Sequence, residues 1–157
     1  MASTGASVFT YGRGLTPQRE SDIAMYENDP DDLFEAAVRL SEIDPARGAE
    51  ALRAIAGSDE FDPDTRFEAA QRLTEVDPDH AAETLRAIVA DGEFDPDTRF
   101  EAAQRLTEFD PDHAVDALRA IVADGEFDPD IRDEAAHRLA EMDPAAWAET
   151  FPGIAPR

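Results

Sequence analysis

The chain has no cysteine and no lysine among its 157 residues. Without cysteine there is no disulfide framework, no thiolate metal site and no cysteine nucleophile. Without lysine, all 14 basic side chains are arginines, and they face 37 aspartates and glutamates. The formal net charge is −23. Such a chain lacks the basic stripe that releases counterions from a phosphate backbone, so nucleic acid is excluded as a direct partner. Anionic membrane surfaces are disfavoured for the same reason. No apolar run approaches the ~20 residues of a membrane span. The N-terminus has neither the basic region nor the apolar region of a signal peptide. A cytoplasmic location is the expectation. Three explanations of the acidity stand side by side: a solvated coat suited to a high-salt or high-GC host, a basic protein partner, or mimicry of a nucleic-acid backbone.

What the chain does have is a period. Residues 67–99 read FEAAQRLTEVDPDHAAETLRAIVADGEFDPDTR, and residues 100–132 are a near copy. A looser copy, 34–66, precedes them and a truncated one begins at Asp133. Phe34, Phe67 and Phe100 mark the offset of 33 residues. A fixed period in this range signals stacked supersecondary units. Eight Asp-Pro dipeptides punctuate it, starting at Asp29, Asp44, Asp62, Asp77, Asp95, Asp110, Asp128 and Asp143. Aspartate caps the free N–H groups of a helix start, and proline is harmless at the next position because its missing N–H would be unpaired there anyway. The eight signals therefore predict eight helix starts, two per repeat. Helix A of the clearest repeat is predicted from Pro63 to about Glu75, and helix B from Pro78 to about Ala90.

The apolar pattern agrees. Phe67, Ala70 and Leu73 recur at helical spacing in A, as do Ala81, Leu85, Ile88 and Val89 in B. Asp91-Gly92 is expected to end helix B with glycine just past the cap. Phe61, Phe94 and Phe127 follow in the turn and are read as packing residues that staple back onto the next helix. Ahead of the repeats, Thr16-Pro17 signals a further helix to about Glu27, with Ile23, Ala24 and Tyr26 on its buried side.

The pattern DPDxR, then EAAxRL, then DP and LRAI resembles the short HEAT-like repeats of the phycobilisome-lyase type. Asp62, Pro63, Asp64, Thr65 and Arg66, followed by Ala69, Ala70 and Leu73, carry the resemblance, which spans about residues 29–151. Leu33 stands in place of the arginine in the first repeat. The resemblance implies an armadillo-like α-α superhelix and a protein-binding surface. Some relatives of this kind have lyase or DNA-glycosylase activity, whose basic or catalytic features this chain does not carry. Ankyrin repeats share the period but not the Thr-Pro-Leu-His start. Tetratricopeptide repeats share the Asp-Pro junction but have a period of 34, and they stay as a minor alternative that changes the shape of the groove and not the class of function.

The expected fold is therefore all-α: a solenoid of four 33-residue two-helix repeats. Its parts are a flexible segment at 1–15, a capping helix at 16–28, repeats at 29–61, 62–94, 95–127 and 128–151, and a tail at 152–157. No catalytic grouping is visible. His80, His113 and His137 lie in no two-ligand helical spacing. The DGEFDPD segments at 91–97 and 124–130 do not match a calcium loop. No enzyme activity, cofactor or metal is expected.

The arginines say more. Arg66, Arg99 and Arg132 recur at the repeat junctions and are expected to reach nearby acidic caps. On helix B, Glu50, Glu83 and Asp116 are followed three residues later by Arg53, Arg86 and Arg119, a double ladder that is the candidate partner-binding surface. The plainer reading has each acid pair with its own arginine. Phe9, Tyr11 and Arg13 form a candidate docking segment. Trp147 occupies the position of Gly48, Ala81 and Ala114 and is read as an end cap or, in the alternative, a dimer anchor. The expected function is a non-catalytic interaction scaffold or adaptor, monomeric, whose partner is another protein of basic character. The alternative is an acidic inhibitor that mimics nucleic acid.

Overall fold

A computed structural model of the chain describes residues 29–154. The capping helix expected over 16–28 and the segment with Phe9, Tyr11 and Arg13 lie outside them. The described residues form eight α-helices and no strand. They are α1 (Pro30–Ile43), α2 (Pro45–Ala56), α3 (Pro63–Val76), α4 (Pro78–Ala90), α5 (Pro96–Phe109), α6 (Pro111–Ala123), α7 (Pro129–Met142) and α8 (Pro144–Thr150). None is long and apolar enough to cross a membrane.

Every helix starts where an Asp-Pro pair stands. In each case the aspartate side chain accepts a backbone N–H of the first turn, and proline takes the first helical position. Each such cap contributes about 1 kcal/mol. Two kinds of connection alternate. Within a pair a single aspartate joins the helices: the Asp77 N–H donates to Leu73 O while its own side chain caps α4. So short a link leaves the second helix no course but back along the first. Between pairs the link is longer, as at 57–62 and 91–95.

Consecutive helices pack on one another, and each helix also touches the next but one. The apolar faces meet in one continuous core. Leu52, Leu73, Leu85, Leu106, Leu118 and Leu139 are fully enclosed within it. In the first pair α1 and α2 cross at Gly48: a Cβ there would lie 2.2 Å from Ser41 Cα, so only glycine fits. Alanine holds this position in the second and third pairs and Trp147 in the fourth. Trp147 is 7% exposed and packs on Phe151, with ring centroids 5.4 Å apart. Helix α8 stops at Thr150, just before Phe151 and Pro152, as the sequence predicts.

Helix α4 ends at Ala90, as the sequence predicts, but the conformation that closes α4 and α6 departs from the expectation. Asp91 and Asp124 are the C-cap residues, in extended conformation. Gly92 and Gly125 do not adopt the left-handed conformation; among the described residues only Gly153 does, at φ 86°. Asp91 Oδ1 accepts the Glu93 N–H, 3.0 Å away, and closes the turn with a side chain where a left-handed glycine was expected.

Candidate interaction surface

Three series of arginines repeat every 33 residues, and they have three different fates. The junction series is built into the fold. Arg66, 8% exposed, donates from Nε to Ala56 O at 3.3 Å, tying α3 to the end of α2. Its two terminal nitrogens reach Glu93 at 2.8 Å and Asp91 at 3.1 Å, in the turn after α4. Its guanidinium also lies 4.7 Å from the centre of the Phe94 ring. Arg99 repeats all four contacts with Val89 O, Glu126, Asp124 and Phe127. Cation–ring stacking and a forked ion pair both favour arginine over lysine here.

The acids that hold Arg66 are Asp91, the C-cap of α4, and Glu93 in the turn that follows it. Phe94 is buried, as expected of a packing residue, and lies under Arg66 of the preceding junction. Asp91, Glu93 and Asp95 of the first DGEFDPD segment, and Asp124, Glu126 and Asp128 of the second, are thus engaged by arginine or by backbone N–H groups. Among the described residues no three His or carboxylate side chains gather as a metal site. The sequence held a signal for the clamp. Where Leu33 replaces the arginine, Ser58 replaces the aspartate 25 residues later. Ser58 still accepts the Glu60 N–H, so the turn survives without its arginine.

The A-helix series is paired on its own helices: Arg39 with Glu35, Arg72 with Glu75, Arg105 with Glu101 and Arg138 with Glu134. Exposed pairs at this spacing stabilise by only a few tenths of a kcal/mol.

The B-helix series is the least committed. Glu50, Glu83 and Asp116 are exposed, as are Arg53 and Arg86, and Arg119 is half-buried. Among the described residues Arg53 and Arg86 have no ion-pair partner. Arg119 reaches Glu149 on α8, 3.3 Å away. At this one position the ladder pairs from one helix pair to the next, and among the described residues none of Arg53, Arg86 and Arg119 takes the acid three residues before it. Arg53 and Glu83 face one shallow recess between α2 and α4, floored by Ala56, Ala87 and Ile88. On its other side Arg53 borders a second recess with Glu50, Val76 and His80.

The histidines adjoin the caps. His80 Nδ1 lies 2.6 Å from Asp77 Oδ2, and His113 is placed identically on Asp110. The His113 side chain is the main cause that holds Asp110 below the usual carboxylate range. His137 meets Glu141 on its own helix. No family model, characterised protein or solved structure matches this chain.

Proposed function

We propose that the chain is a HEAT-like solenoid of four two-helix repeats that works as a non-catalytic interaction scaffold, with the B-helix face as its concave binding surface. The observation that carries this reading is the contrast among the arginine series. One series is consumed by the fold and one by pairing along its own helix. The exposed guanidiniums of Arg53 and Arg86 have no ion-pair partner among the described residues. A planar guanidinium grips a carboxylate bidentately or stacks on an aromatic ring, so it anchors a protein partner well. The flanking Glu50, Glu83 and Asp116 repel acidic surfaces and fix orientation, and the charge of −23 draws a basic partner towards the face. On this reading Trp147 closes the end of the stack and the protein is a cytoplasmic monomer.

The test is the triple variant Arg53→Glu, Arg86→Glu, Arg119→Glu, after circular dichroism has verified its helix content. Partners captured from the host by the unaltered protein should be lost to the variant. Capture at unchanged affinity would exclude the ladder and leave Phe9, Tyr11 and Arg13 as the better site. The acidity also supports the second reading, a nucleic-acid mimic. A mimic's partner is released by added DNA or RNA, whereas a scaffold's partner is not.

A further inference from the structure

The two ends of the helix array differ. At the C-terminal end Trp147 is buried against Phe151. At the other end the outer side of α1 is apolar and open: Ile43 is 83% exposed and Leu33 40%, Ala36 is exposed and Leu40 only half-buried. Two of these repeat positions are sealed further along. Ala69, Ala102 and Ala135 match Ala36, and Leu73, Leu106 and Leu139 match Leu40; all six are fully enclosed. Each of those A helices packs against the B helix of the preceding pair. Among the described residues no helix pair precedes α1. Its face is also altered for a different neighbour, because Leu33 replaces the clamp arginine and makes the surface wholly apolar along that line.

We infer that this face is the docking site of the chain's own residues 16–28. Two observations select that occupant. The segment runs directly into Asp29, the cap of α1. Its sequence opens with the cap-and-proline pair Thr16-Pro17 and carries Ile23, Ala24 and Tyr26 for burial. Tethering supplies an effective concentration in the range of about millimolar, which a free partner must exceed. A second copy competes poorly, since its approach sets −23 against −23.

The experiment is hydrogen exchange on the full chain, with a free peptide of residues 16–28 as reference. The expected result is exchange over 17–27 slowed at least about tenfold relative to the peptide. In the full-length double variant Leu33→Ser, Ile43→Ser the protection should vanish, while amides of α5 and α6 stay protected and report an intact array. Exchange as fast as the free peptide in the unaltered chain overturns the inference. So does protection that survives the double variant. A dimer by light scattering that dissociates in the double variant would also overturn it, in favour of a second copy as the occupant.

Discussion

Arg66 and Arg99 each perform four tasks with one side chain: a backbone hydrogen bond, two ion pairs and a stack on a phenylalanine. Lysine supplies one charge and no plane, so it cannot replace them. Arg132 is the control within the same molecule. Its Nε donates to Val122 O at 3.0 Å, but no turn of the Asp91 kind follows it among the described residues. Arg99→Ala should therefore cost about 2–3 kcal/mol, less than a fully buried pair because Asp124 and Glu126 regain water. Arg132→Ala should cost about 1 kcal/mol, the worth of its hydrogen bond. Urea unfolding of the two variants checks this, and equal losses would remove the ion pairs and the stack from the account. The period of these arginines is plain in the sequence, but their partners are not. The acids lie 25 and 27 residues away, and only the relative placement of two helix pairs brings them together.

At the scale of the element, the aspartate caps decide where helices begin. Asp62 accepts the Thr65 hydroxyl at 2.7 Å and the Thr65 N–H at 3.0 Å, and in that order these hold its carboxyl below the usual value of 3.8. Asp95 is held down by Thr98 in the same way. A carboxyl with a depressed folded pKa binds fewer protons folded than unfolded. Its contribution is therefore complete above about pH 5 and is lost as pH falls through 3.8 and below. Thermal melts at stepped pH should steepen in that acid range. The double variant Asp62→Asn, Asp95→Asn keeps a capping side chain without the titration, so its melting temperature should fall less over the same steps. An unchanged slope would place the acid sensitivity elsewhere. All eight helix starts were legible because a cap is a local bond, made within three residues of the aspartate. Helices α4 and α6 end where the sequence places them, but the glycine conformation expected there is not adopted. Asp91 closes its turn through its side chain, so Gly92 is never asked for the left-handed conformation that glycine usually marks there.

For the molecule as a whole, the dominant electrostatic fact is the excess of 37 acids over 14 arginines. Self-repulsion of that size weakens a compact state, and salt relieves it. The melting temperature should rise as sodium chloride goes from about 10 mM to about 1 M, where the screening length falls to about 3 Å. The enclosed Arg66 and Arg99 clamps are screened less than surface charges, so they offset little of this gain. A flat or falling curve would remove self-repulsion as an important term. The clamp also bears on how such a chain can change length. Each 33-residue unit brings one acidic turn that receives the arginine of the unit before it and one arginine that reaches the turn of the unit after it. Each unit thus carries one half of two successive joints. A tandem duplication of residues 67–99 would regenerate a complete joint on each side of the insert, so copy number is free to drift while the joint itself stays fixed.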